Sequence, residues 1–158
     1  RHNLSIYLLG GAPGVAEQAG EALCRRYPGL TVAGTDSPDV DRNPSASTLD
    51  AVRARLVAAA PDIVYVGLGF PKQERIITGV AEALPKAWFL GCGAAIAFAA
   101  GSVERAPHWM QRAGLEWVHR LISEPRRLFT RYLVHDAPFA AVLLTSSALG
   151  RARGKRQA

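Results

Sequence analysis

The residues best equipped for chemistry stand together at positions 67–74, Gly-Leu-Gly-Phe-Pro-Lys-Gln-Glu. Gln73 carries an amide that can pair with a base edge or a sugar hydroxyl. Glu74 carries a carboxylate that can accept from sugar hydroxyls, act as a base, or cap its own helix. Lys72 can meet a phosphate or simply be solvated. A second string, Leu-Leu-Gly-Gly-Ala-Pro-Gly at 8–14, brings Gly10, Gly11 and Pro13 to the start of a helix. Glycines there let backbone N–H groups approach a phosphate, and the helix dipole favours an anion. The same string also serves as a plain tight turn. A third set is Arg120, Arg127 and Arg131, seven and four residues apart. They share one helical face if the helix continues through Pro125, and a guanidinium suits bidentate phosphate contacts. Glu116 precedes Arg120 by four residues, a surface pair of little energetic worth. Trp117 can stack on a base or pack into a core.

Short apolar runs alternating with helical patterns must position these groups. Leu4–Leu9 is a buried strand closed by Gly10-Gly11. Residues 13–27 have helical spacing, with Val15, Ala16, Ala19, Ala22 and Leu23 on one face. Pro28-Gly29 stops that helix. Leu30–Ala33 is a second, shorter strand, followed by a polar loop from Asp36 to Pro44. Ser47 is the expected N-cap of a helix through Ala59, with Leu49, Val52, Leu56 and Val57 as its stripe. Ile63–Gly67 is rich in β-branched residues and reads as a central strand. Pro71 suits the first turn of a helix running to Leu84. Ala87–Leu90 is a fourth strand, ending at Gly91-Cys92-Gly93. This alternation predicts an α/β fold, a Rossmann-like parallel sheet flanked by helices. Ligands of such sheets bind at the carboxyl ends of the strands. The turns holding Gly10, Gly67 and Gly91 all fall there. Residues 105–150 show no strand and read as a helical C-terminal appendage punctuated by Pro107, Gly114, Pro125 and Pro138. Residues 151–158 form a basic tail, and residues 1–104 the Rossmann-like part.

Among 158 residues, 49% are hydrophobic and 20% charged, which suits a globular domain with a sizeable core. The net charge of +6 is uneven. Residues 1–104 carry 9 Lys/Arg against 10 Asp/Glu, and residues 105–158 carry 10 against 3. A basic C-terminal region suits an anionic partner such as phosphate or an acidic membrane surface. Residues 137–149 are too short an apolar stretch to span a bilayer, which takes about 20 residues. Beside Arg151, Arg153, Lys155 and Arg156 they can lie in a membrane interface, or pack as a terminal helix. Cys24 and Cys92 are expected to be small buried hydrophobes in a reducing compartment. No metal-ligand spacing is present, so neither metal nor cofactor is expected. Aromatic residues are not interleaved with the basic ones, which argues against a nucleic-acid partner. The absence of GxGxxG with a following ribose-binding acid argues against a dinucleotide-dependent dehydrogenase. The chain opens on Arg1 and enters a strand within three residues. No leader-like stretch precedes that strand, and a domain lacking its opening elements is expected.

Taken in order, these strings resemble the WecG/TagA/CpsF glycosyltransferases from Tyr7 to about Leu133. The carriers are Leu-Leu-Gly-Gly-x-Pro-Gly, then Pro-Asp-Ile-Val-x-Val-Gly-Leu-Gly-x-Pro-Lys-Gln-Glu. Ala-Gly-x-Val-x-Arg-Ala-Pro-x-Trp and Gly-Leu-Glu-Trp-x-x-Arg-Leu-x-x-Glu-Pro-x-Arg follow. The resemblance implies inverting, metal-independent transfer of an N-acetylmannosamine-type sugar from a UDP-sugar. The implied acceptor is a polyprenyl-diphosphate-linked sugar at the cytoplasmic face of the bacterial plasma membrane. The enzyme would be peripheral, and a homo-oligomer is compatible with it. Gly10, Gly11, Pro13 and Gly67 would shape the diphosphate and nucleoside pocket. Gln73 and Glu74 would contact the nucleotide sugar, and Arg120, Arg127 and Arg131 would clamp phosphate.

Three departures from the family pattern stand out. The family's acceptor-side pocket and proposed basic aspartate precede the first strand here, and no residue of this chain matches that aspartate. The family often reads Gly-x-x-Phe-Asp where this chain has Gly93-Ala-Ala-Ile96-Ala97. A common Arg-Arg-Tyr appears as Thr130-Arg131-Tyr132. The alternative expectation is therefore a truncated or inactive UDP-sugar-binding homologue without its catalytic base.

Overall fold

A computed structural model of the chain describes residues 4–103 and 106–123. Two compact units divide the chain, residues 1–104 and residues 105–158. The first alternates β1 (Ser5–Gly10), α1 (Val15–Arg26), β2 (Thr31–Asp36), α2 (Ala46–Ala59), β3 (Ile63–Gly67), α3 (Lys72–Val80), β4 (Trp88–Gly91) and α4 (Ala95–Ala100). The four strands form one sheet in the order β2-β1-β3-β4, and every pairing is parallel. This is the Rossmann-like α/β arrangement predicted above.

Alternation along the strands supplies two cores. Tyr7 and Leu9 of β1 join Val64 and Val66 of β3 on one face, beneath Val52 and Leu56 of α2 and Ile76 and Val80 of α3. Ile6 and Leu8 point to the opposite face, against Val15, Ala16 and Ala19 of α1 and Ile96 of α4. Leu9, Leu56, Ile76, Val52, Val64, Val66 and Val80 are fully buried. Burying one such side chain is worth roughly 1.5–3 kcal/mol.

Four local expectations change. β2 reaches Asp36 rather than Ala33, because its ladder with β1 continues through Leu8↔Thr35 and Leu9↔Asp36. The register shifts between Ile6 and Tyr7, and Gly34 opposite Tyr7 leaves room for the ring. A Cβ on Gly34 would stand 2.6 Å from a ring carbon. The cap of α2 is Ser45, not Ser47: its hydroxyl accepts from Thr48 N at 3.1 Å. The helix thus starts one residue past Ser45, and Val57 ends up half-exposed, outside the stripe. α3 ends at Val80 and a 3-10 turn, Ala81–Ala83, completes the run. Cys24 is exposed, on the outer side of α1, while Cys92 is half-buried.

β4 is an edge strand among the described residues. Trp88 is 73% exposed, and with Leu4, Leu90, Asp62, Ile63 and Lys86 it lines a shallow pocket away from the glycine turns. The second unit begins with α5 (His108–Arg112) and α6 (Glu116–Ser123). Gly114, with φ of 70°, makes the left-handed turn between them, and Leu115 N donates to Met110 O at 2.8 Å. Gln111 Nε2 donates to Ala106 O at 2.6 Å, closing the start of α5. The apolar stretch 137–149 and the basic tail lie outside the described residues.

Ser5 and Asp62 lock the amino ends of β1 and β3. Asp62 Oδ2 accepts from Ser5 N at 2.7 Å and from Ser5 Oγ at 2.8 Å. The backbone donor first, then the hydroxyl, holds the Asp62 carboxyl below its ordinary range. A carboxylate with a depressed folded pKa stabilises fully above the ordinary value of about 4 and loses that effect as pH falls through the folded value. Asp62→Ala is expected to lower the urea midpoint at pH 7. The gap from the parent should narrow as unfolding is repeated below about pH 4.

Candidate functional site

β1, β3 and β4 end on the same edge of the sheet, at Gly10, Gly67 and Gly91. β1 leads to α1 on one face and β3 leads to α3 on the other, so chain direction diverges between them. A crevice at such a switch point is where open α/β sheets bind ligands.

The floor of this crevice is main chain. Gly10 has φ of +126°, and a Cβ there would lie 2.6 Å from the carbonyl carbon of Gly67. Gly11 N donates to Gly67 O at 3.3 Å. A Cβ on Gly67 would in turn lie 2.8 Å from Ile96 Cδ1 and 2.9 Å from Gly93 O. Gly10 and Gly93 therefore press main chain against Gly67, and the Ile96 side chain of α4 packs on it as well. Gly14, the N-cap of α1, is a left-handed residue with no side-chain cap, and it follows the exposed Pro13. First-turn amides of an α-helix have no intrahelical partner, which favours an anion there. Glu17 also sits in that first turn and opposes one.

Gln73 joins two elements. Its Oε1 accepts from Gly93 N at 3.3 Å, and its Nε2 donates to Glu74 Oε1 at 2.8 Å. Gly91, the last residue of β4, lies against this side chain: a Cβ there would stand 2.8 Å from Gln73 Nε2. Glu74 is exposed in the first turn of α3. The Phe70-Pro71 peptide bond just before that helix is cis.

The segment after β2 forms the rim. Ser37 Oγ donates to Gly10 O at 3.4 Å. Lys72 Nζ donates to Val40 O, and Arg75 Nη1 donates to Arg42 O at 2.7 Å. Lys72 is thus tied to a backbone carbonyl rather than merely solvated. Asp36 Oδ2 accepts from Arg55 Nε at 2.6 Å. Burial, and then the Asp36 charge, pushes the Tyr7 phenol up, with Arg55 opposing. Burial likewise pushes the Cys92 thiol up, which keeps it protonated and poorly nucleophilic. No cluster of three or more His, Cys, Asp and Glu that could hold a metal occurs among the described residues.

Gly10, Gly11, Gly67, Gln73 and Glu74 therefore gather at one edge, with Pro13 on the turn leading from it. Arg120 falls in α6, its side chain outside what is described, and Arg127 and Arg131 lie outside the described residues. Sequence reasoning missed three features of this edge: the Gln73–Gly93 link, the Ser37 bond to Gly10, and α4. α4 is a short alanine-rich helix whose cap position, Ala94, offers no capping side chain, and the two links join segments twenty or more residues apart.

A doubly wound parallel sheet with glycine turns meeting at its switch point defines a Rossmann-like α/β protein. Within that class, the chain belongs to the glycosyl transferase WecG/TagA/CpsF family, whose model matches residues 1–153. It is similar to the N-acetylglucosaminyldiphosphoundecaprenol N-acetyl-beta-D-mannosaminyltransferase of Bacillus subtilis (strain 168), at 37% identity over 123 residues. That match covers 77% of this chain and 45% of the relative, so the chain spans less than half of that protein's length. No helix among the described residues is long and apolar enough to cross a membrane.

The glycine contact separates two kinds of strain. Gly10→Ala combines a positive φ with a clash against rigid backbone, and a loss of roughly 2 kcal/mol or more is expected. Gly69 has φ of +74° but open space around it. Gly69→Ala should therefore cost only about 1 kcal/mol. Urea unfolding of the two variants in parallel measures the difference.

Proposed function

We propose that this chain is the nucleotide-sugar-binding part of a glycosyltransferase of cell-surface polysaccharide synthesis. The donor is a UDP-sugar of the N-acetylmannosamine type. The acceptor is a sugar carried on undecaprenyl diphosphate. The observation that carries this reading is the switch-point crevice of Gly10, Gly11, Gly67 and Gln73 in a chain of this family. The transferase named in Bacillus subtilis, to which the chain is similar, supports the acceptor and sugar class.

The residues divide the work by chemistry. Backbone amides at the start of α1 face the diphosphate and nucleoside, with Gly10, Gly11, Pro13 and Gly67 shaping the turns. Gln73 and Glu74 take hydroxyl or amide groups of the nucleotide sugar. In the transfer, an acceptor hydroxyl attacks the anomeric carbon as the bond to the UDP oxygen breaks, and the configuration inverts. The hydroxyl proton goes to a general base, a role assigned to no residue of this chain. Negative charge grows on the departing UDP, so cations placed there stabilise the transition state more than the ground state. Arg120, Arg127 and Arg131 are the proposed cations, in place of a metal ion. The basic residues of 105–158 suit a peripheral position on the acidic cytoplasmic face of the membrane. A homologue that binds UDP without turnover is the second reading, favoured by Ile96 and Ala97 standing where the family pattern often carries Phe-Asp.

Calorimetric titration of the chain with UDP should show saturable binding. Gln73→Ala should weaken it about tenfold, through loss of the ligand contact and of the tie to Gly93. Undiminished affinity in that variant removes Gln73 from the pocket. Arg127→Ala should also weaken UDP binding, and by a larger factor at low salt than at high salt. An effect independent of salt removes Arg127 from the phosphate clamp.

A further inference from the structure

The geometry points to Asp36 as the acceptor for the ribose hydroxyls of a nucleotide bound at the switch point, with Arg55 orienting its carboxylate. This rests on the nucleotide reading given above.

Asp36 is the last residue of β2 and pairs with Leu9, the residue just before Gly10. It therefore ends its strand on the same edge as the glycine turns, one strand to the side. The next residue, Ser37, donates from its hydroxyl to Gly10 O, tying this corner to the crevice floor. In doubly wound sheets a phosphate sits at the start of the first helix. The attached ribose then reaches an acid about 20 residues further on, at the end of the adjacent strand. Asp36 follows Gly14, the cap of α1, by 22 residues. With β2 read only to Ala33, Asp36 falls in a loop; the ladder through Leu9↔Asp36 places it at the strand end instead.

The side-chain chemistry agrees. A ribose presents two neighbouring hydroxyls, both donors, and a carboxylate is an acceptor with room for about four hydrogen bonds. Arg55 Nε takes Oδ2 at 2.6 Å, which fixes the carboxylate plane without filling it. The Asp36 side chain is 17% exposed and that of Arg55 is 47% exposed. The carboxylate is thus largely covered and the guanidinium about half open, a partly buried pair in which Arg55 holds the carboxylate in place. The other acids nearby fit less well. Asp39 and Asp41 lie beyond the strand end and are exposed, and Glu17 is exposed on α1 in the position that faces a phosphate. An uncharged diol tolerates Asp36 where a phosphate would not.

The test compares UDP with 2′,3′-dideoxy-UDP by calorimetry on the parent chain, Asp36→Ala and Asp36→Asn. The parent should bind the dideoxy ligand roughly ten- to a hundredfold more weakly than UDP. That ratio should fall to near one in Asp36→Ala and decrease in Asp36→Asn, which preserves the shape of the side chain if the alanine variant fails to fold. Equal affinity of the parent for both ligands overturns the assignment. So does a ratio that survives in a folded variant while both affinities drop together, which marks Asp36 as structural. A parent that binds neither ligand overturns the nucleotide reading itself, and this assignment with it.

Discussion

The contact on which this edge of the molecule depends is main chain against main chain, Gly10 of β1 on Gly67 of β3. A Cβ at either position would meet neighbouring atoms at under 3 Å. The turns after both strands can therefore fold inward and present main chain instead of side chains. Gly67 is pressed in turn by Ile96 and the Gly93 carbonyl. The ends of three strands and the start of α4 are fixed relative to one another by this packing. A surface of this kind recognises a ligand by its oxygen atoms and shape, as a diphosphate would require.

Much of the framework was legible because local and long-range preferences agree. β1 and β3 are apolar and β-branched, and both are covered on two faces. The stripe of Val15, Ala16 and Ala19 on α1 packs as its spacing predicts. β2 was foreshortened because Gly34, Thr35 and Asp36 carry no apolar signal, and only pairing with β1 makes them a strand. Ser45 and Ser47 are equally good caps by residue type, and the hydroxyl geometry chooses Ser45. The glycine turns could be read as a site from topology alone. The partners of Gln73 could not, since Gly93 comes close only after the sheet has formed.

Charge in the first unit is arranged differently from what a residue count suggests. Lys72, Arg53 and Arg75 all reach backbone carbonyls, at Val40, Gly79 and Arg42. Arg55 faces Asp36. These cations bind segments of the fold together, and residues 1–104 are close to neutral overall. Any attraction for the proposed diphosphate within this unit would therefore have to come from oriented amides, and the basic excess lies in residues 105–158. The two contributions differ in range: amide dipoles act only at contact, whereas net charge acts out to the Debye length of about 8–10 Å.

The first turn of α3 reaches both sides of the crevice. Gln73 takes the Gly93 amide on one side, while Lys72 and Arg75 take the Val40 and Arg42 carbonyls on the other. In mechanical terms this turn is a crossbar. Its anchors are hydrogen bonds with little slack, so the two walls cannot separate without breaking at least one of them. Ligands of different width would then have to be accommodated by exposed groups such as Phe70 and Glu74, while the spacing of the walls stays constant.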